Sequence, residues 1–285
     1  MNNQSLTSLI DDIRLGLKDE RENLLTLFDI YANEAVFGRE WLDEDLRNLP
    51  AGSEVLEIGA GMMLLACQLV REGYVVTALE PVGEGFSHFH HLQQYVLEYA
   101  TAHGFAPAIL PCPGEELAQK NHYAFAYSLN VMEHVTDVSA VIERVYAALA
   151  PGGEYHFLCP NYAFPYETHF SMPTFGTKAL TWRLMKDRVL NSKLEDAMGL
   201  WKSLNWITVA KVKCICDKLL IKNIIFSTRI MQTYIGRAFT DVQFQARHGR
   251  VIRYMLLVLR RLGMLSLIQW IPARFMPVMD CRIRR

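Results

Sequence analysis

The stretch Val55-Leu-Glu-Ile-Gly-Ala-Gly61, running directly into Met-Met-Leu-Leu-Ala, constrains this chain more than any other. An apolar run that meets two glycines one residue apart and continues into helix-forming residues reads as a strand turning sharply into a helix. Gly59 and Gly61 carry no Cβ, so the turn lets a ligand approach the backbone. The helix N-terminus that follows offers free N–H groups.

The pattern then repeats. Segments 54–59, 74–80, 106–111, 123–129 and 154–160 read as strands, and 62–73, 86–104 and 138–150 as helices between them. A short helix is expected near Glu115–Gln119, and Pro151-Gly152-Gly153 is expected to end the helix that Asp137 caps. Strands alternating with helices at this spacing predict an α/β, doubly wound, Rossmann-like sheet whose strand C-terminal ends share one edge. Residues 1–50 read as an N-terminal helical cap, because Leu6, Leu9, Ile10, Ile13 and Leu17 recur at helical spacing. Residues 51–160 form the core, and 161–285 a substrate-side loop, helical insertions and the last two strands.

Composition narrows the class. The chain has 285 residues, 51% hydrophobic and 21% charged, enough to bury a full core. The acid-rich N-terminus reads as neither signal nor transit peptide, and the six scattered cysteines as reduced thiols, which together suggest a cytoplasmic protein. The charge is uneven. From Ala246 onward there are nine arginines and one acid, so a net charge of −1 hides a basic end. That end suggests peripheral contact with an anionic membrane, its arginines reaching headgroups, or simply a helix packed on the domain. Arg260 and Arg261 break its apolar run, which argues against a membrane-spanning helix, and it lacks the interleaved aromatic residues of a nucleic-acid partner.

The residues around the turn select the ligand. A dinucleotide fingerprint would place a third glycine where Leu64 stands. Glu57, two residues before Gly59, would repel a pyrophosphate and attract an ammonium. Glu80 closes the second strand, where a carboxylate can accept both hydroxyl hydrogens of a ribose. A nucleoside without phosphates and with a cationic amino-acid end is S-adenosylmethionine. A nicotinamide-dependent oxidoreductase is the weaker enzyme reading, and a catalytically silent scaffold or membrane-recruited binding protein is the non-enzymatic one.

Four motifs in order, VLEIGAG, VTALEP, YSLNVMEHVTD and ALAPGGEYHFLCP, resemble those of the class I S-adenosylmethionine-dependent methyltransferases. The likeness is greatest to the branch that includes the ubiquinone-pathway O-methyltransferases. The resemblance implies a seven-stranded sheet with an antiparallel last strand. It implies that Gly59, Ala60 and Gly61 line the methionine end and that Glu57 orders its amino group. It also places Glu80 on the ribose, Gly114 and Glu115 beside adenine, and Leu129 and Asn130 beneath the sulfonium. The acceptor would be a small molecule, lipid or glycan precursor, methylated at oxygen. His134 in the fourth-strand motif, and Tyr166 and His169 in the aromatic loop after strand five, are the candidate catalytic residues. No metal site is expected: His88, His90 and His91 share a helix face without an acid or cysteine at ligand spacing.

Overall fold

The computed structural model describes residues 5–81, 87–194, 196–240, 257, 258, 260, 261, 263 and 270–285. Seven strands form one sheet: β1 (Glu54–Ile58), β2 (Val75–Leu79), β3 (Ala108–Leu110), β4 (Tyr123–Leu129), β5 (Leu149–Pro160), β8 (Ile224–Ser227) and β9 (Val278–Arg284). Their order is β3-β2-β1-β4-β5-β9-β8. β1 pairs in parallel with β2 and β4, and β2 with β3, whereas β8 and β9 are antiparallel. A two-residue pair, β6 (Tyr166–Glu167) with β7 (Met172–Pro173), forms a second small sheet.

The order reverses at β1, so β1 and β4 lie at the topological switch point, beyond whose C-terminal ends open α/β sheets bind ligands.

The chain divides into two compact units. The first holds residues 1–129, 140–156 and the last two residues. Its helices are α1 (Leu6–Glu20), α2 (Leu25–Trp41), α3 (Asp43–Arg47), α4 (Leu64–Arg71), α5 (Ser87–Ala102) and α6 (Val138–Ala148), the last assigned to this unit from Ala140. α1 is capped by the Ser5 hydroxyl, which accepts from the Ser8 N–H, and it buries the five apolar residues that set its period. These pack with Phe28, Ala32, Leu42 and Leu46 against Leu64, Leu65, Leu69 and the faces of β1 and β4. Below them, His156 on β5 is 1% exposed, bonds Asp45 at 2.8 Å through Nδ1, and lies 4.0 Å from the Trp41 ring.

The second unit holds residues 130–139 and 157–283. It contains α7 (Lys178–Leu190), α8 (Ala197–Ser203), α9 (Val209–Lys218) and α10 (Ile230–Thr240). Its aromatic interior has Tyr162 stacked on Trp206 at 4.4 Å, with Trp201 edge-on to both Phe170 and Trp206.

Two local expectations shift. Pro151-Gly152-Gly153 does follow the end of α6, but β5 already begins at Leu149, so the glycines lie within the strand. Gly152, at φ 81°, donates to the Arg285 carbonyl, and the Arg285 N–H returns to Gly153, so the C-terminus pairs across the turn. The short helix expected at 115–119 is a single 3-10 turn, Gly114–Glu116, because Leu117 leaves helical geometry at ψ 118°. The membrane-contact expectation falls mostly on residues outside those described. Among the described residues, no helix is long and apolar enough to cross a membrane.

Candidate functional site

In the first unit the two-glycine turn is built as its sequence requires. Gly59 (φ 71°), Gly61 (φ 52°) and Met63 (φ 68°) all lie in the left-handed region, and α4 starts immediately after them. The glycines adopt it without steric penalty, and a Cβ on Gly61 would meet nothing within 4 Å. The N–H groups of Gly59 and Ala60 both point to the Leu79 carbonyl, at 2.8 and 3.4 Å, which ties the turn to the end of β2.

Glu80 follows on from β2 and accepts the Gly61 N–H on Oε2 at 2.8 Å. Burial pushes its pKa up, opposed by that N–H. Gln93 on α5 completes the turn by donating to the Gly61 carbonyl at 2.8 Å. Gln93 is a residue that sequence reasoning missed, since a lone glutamine on a helix gives no signal.

Glu57 lies deeper, paired in register with Ala78 and Tyr127. Burial pushes its pKa up to about 8; the Tyr127 hydroxyl and the Ala66 N–H oppose this, and the nearby Glu80 charge adds to it. Its Oε2 is buried and makes no hydrogen bond among the described residues. A buried acid with an unsatisfied oxygen, next to a turn open to ligand, fits a cationic group. Gly114 is buried so closely against Val141 that a Cβ there would stand 3.2 Å from it. Glu115 lies beside it at intermediate exposure. Leu129 ends β4 half-buried.

In the second unit, Asn130 is exposed at φ 55° and donates its N–H to the Leu158 carbonyl at 2.8 Å. The turn after it presents His134. Asn205 fixes that turn with three bonds: its N–H donates to the Glu133 carbonyl, and its Nδ2 donates to the carbonyls of Met132 and Val135. Ser203 donates its hydroxyl to the Leu200 carbonyl at 2.8 Å, so it accepts from His134 Nδ1 at 2.9 Å. This leaves the His134 proton on Nδ1 and a lone pair on Nε2. Burial, then the neighbouring His169, push the His134 pKa down to about 3, against the opposing Glu167 charge.

His169 sits T-shaped against His134, with ring centroids 5.3 Å apart. Its Nδ1 lies 2.6 Å from Glu167 Oε1. Glu167 is fully buried and also accepts from the N–H groups of His169 and Phe170 and from the Tyr162 hydroxyl. Burial works against its charge, yet these donors, His169 first, hold its pKa below the ordinary carboxylate value.

The structure thus joins His134 and His169 and adds Glu133, Glu167 and Ser203 to them. No hydrogen bond or ring contact joins Tyr166 to this cluster among the described residues. Tyr166 and Glu167 are neighbours on an extended strand, so their side chains leave on opposite faces. Ser203 and Asn205 gave no sequence signal, since they reach His134 only through the fold. His90 and His91 are exposed on α5, and the side chain of His88 lies outside the described residues.

A family model described as "Methyltransferase domain" matches residues 32–194. An uncharacterized protein of Mycobacterium tuberculosis is 45% identical over 258 residues, covering 89% of this chain and 86% of its own. The ubiquinone biosynthesis O-methyltransferase of Acinetobacter baylyi is 30% identical over 127 residues, 42% of this chain and 49% of its own. Among solved structures, Haemonchus contortus phosphoethanolamine N-methyltransferase 2 in complex with S-adenosyl-L-methionine superposes with a TM-score of 0.50. That match has 15% identity and covers 88% of this chain and 51% of the other, so it speaks for the fold. With the two-glycine turn, the two acids around it, the sheet order and these matches together, the chain belongs to the methyltransferase-domain family, as a class I S-adenosylmethionine-dependent methyltransferase.

Proposed function

We propose that this methyltransferase acts on oxygen, methylating a hydroxyl of a small-molecule, lipid or glycan-precursor acceptor. The observation that carries this reading is the paired imidazoles, His134 with Nδ1 fixed by the Ser203 hydroxyl and His169 backed by the Glu167 carboxylate. An oxygen nucleophile must lose a proton, and an imidazole oriented by a buried carboxylate is built to receive one.

S-adenosylmethionine, when bound, supplies a methyl group already activated by its sulfonium. The first unit holds it. Glu57 meets the amino group with its unsatisfied Oε2, and Glu80 binds the ribose hydroxyls while keeping the Gly61 N–H. The backbone of Gly59, Ala60 and Gly61 lines the methionine end. Gly114 and Glu115 would contact adenine, and Leu129 and Asn130 are the residues that would face the sulfonium.

In the second unit His169 Nε2 takes the acceptor hydroxyl's single proton, with Glu167 stabilising the cation that forms, and the His134 ring, fixed by Ser203, packs edge-on against His169 and holds it in place. The bound cofactor would supply the electrophilic methyl and would leave as a neutral thioether, so that the oxygen's negative charge and the sulfonium's positive charge would cancel. Tyr166 contributes to acceptor binding in the same loop, and the segment after Pro160 supplies most acceptor contacts.

Calorimetry with S-adenosylmethionine tests the first half. The native protein should bind it, and Glu80→Ala should weaken binding at least ten-fold; equal affinity in the two would overturn the cofactor assignment. For the second half, labelled methyl transfer to a panel of phenols, alcohols and amines should favour hydroxyl acceptors. Transfer to amines alone would overturn the oxygen reading.

A further inference from the structure

We propose that Glu133, His134 and His169 form a site for one divalent transition-metal cation, with an open position that takes the acceptor hydroxyl. Each residue offers one ligand atom, and these atoms lie within 4.8 Å of one another. The Glu133 Oε1 to His134 Nε2 distance is 3.8 Å. Ligands about 2.1 Å from a common ion in tetrahedral geometry stand about 3.4 Å apart. That pair therefore needs about 0.4 Å of closure and the widest pair at most about 1.4 Å, within reach of side-chain rotation.

The surroundings are those of a ligand set. Metal-binding histidines donate their second ring N–H to a fixed acceptor, which sets tautomer and orientation. Both imidazoles here do so: His134 Nδ1 to Ser203, His169 Nδ1 to Glu167. Each therefore carries its lone pair on Nε2. The backbone is held as firmly, with Asn205 bonding the Met132–Val135 turn at three points and Glu167 accepting two N–H groups of its own loop.

Exposure gives the site a direction. The Glu133 side chain is 0% exposed, and those of His134 and His169 are 15% and 24% exposed, so solvent and substrate enter past the imidazoles. Two imidazoles and one carboxylate suit Mn(II), Fe(II), Co(II) or Zn(II) better than Mg(II) or Ca(II), which prefer oxygen ligands throughout. With the cation bound the imidazoles hold the ion instead of taking the proton: a hydroxyl near that charge releases its proton to water more readily, leaving the oxygen anion that methyl transfer needs.

The proposal rests on the oxygen reading only for what fills the open position; cation binding is independent of it. The test is titration of chelator-treated full-length protein with Co(II) and Mn(II), without cofactor or acceptor, followed by calorimetry and visible absorption. We expect one saturable site with no thiolate charge-transfer band. His134→Ala and His169→Ala should each weaken it at least ten-fold. Ser203→Ala, which touches no cation, should weaken it by about ten-fold or more through the His134 ring.

Circular dichroism checks the fold of each variant. If His134→Ala fails to fold, the solvent-accessible His169 carries the test. No saturable binding by the native protein, or binding unchanged in His169→Ala, overturns the proposal. If the cation is absent while chelator-insensitive methylation persists, the cation proposal falls and the oxygen reading stands. If the cation binds but only amines are methylated, the oxygen reading falls and the site stands.

Discussion

Glu57 and Glu80 are both buried acids near one turn, yet they are held differently. Glu80 has the Gly61 N–H as a donor, whereas Glu57 Oε2 makes no hydrogen bond among the described residues. With its pKa pushed up to about 8, Glu57 is mostly protonated at neutral pH in the free protein. A cationic cofactor end selects the carboxylate, so binding should release up to one proton at pH 7 and tighten as pH rises through 8. Calorimetry in buffers of different ionisation enthalpy measures this release, and Glu57→Gln should abolish it. The same raised pKa has a stability consequence. A carboxyl with its folded value above its unfolded one favours the fold below about 4.5 and loses that contribution as pH rises through 8. Melting temperatures from pH 5 to 9 should therefore fall less steeply in Glu57→Gln than in the native protein.

At the scale of elements, the turn after β4 works as one part with the end of α8 and the residues that follow it. Asn205 donates its amide to the carbonyls of Met132 and Val135, and Ser203 accepts from His134. Asn205→Ala leaves two carbonyls without their donor, and removing part-buried bonds of this kind costs about 1–3 kcal/mol. Chemical denaturation should show that loss. Where Ser203→Ala folds normally, the His134 ring loses its fixed tautomer, and kcat should fall more than KM rises. The loop from β6 to β7 is held in the same way by Glu167, so His169→Ala should lower kcat by roughly 10²–10⁴ if the imidazole receives the acceptor's proton. Methyl-transfer kinetics at saturating cofactor measure both.

At the scale of the whole molecule, the N-terminal helices belong to the first unit's core: Leu9, Ile13 and Leu17 are buried with Phe28, Leu64 and Leu69. A buried carboxylate–imidazole pair joins α3 to β5, with Asp45 111 residues from His156. Removing one partner takes away a buried hydrogen bond, at a cost of about 1–3 kcal/mol. His156→Ala should lose that much in urea unfolding, and a far smaller loss would mean that water enters the site. Gly38 on α2 adds a second constraint, since a Cβ there would stand 3.0 Å from Leu129 and 3.1 Å from Leu65. Gly38→Val should therefore disturb the end of β4 as well as stability.

Local periodicity determined the alternation of β1 to β5 with α4 to α6, because strand and helix patterns are short-range and the glycine turn is marked by residue type. The sequence also placed acids at 57 and 80, since both lie at fixed offsets from that turn. Its limits were equally physical. Pairing of the C-terminus across Gly152 and Gly153 depends on residues more than a hundred positions apart, so no window of sequence contains it. The same holds for the His134 cluster. His134 and His169 were candidates one at a time, but their ring contact and their separate anchors, Ser203 and Glu167, come from distant stretches of chain. The sequence by itself determined the sheet, the turn and the class of nucleoside they suit. Only the tertiary structure decided which polar side chains share one low-dielectric space, because hydrogen bonds across long loops form only when the packed elements bring their partners together.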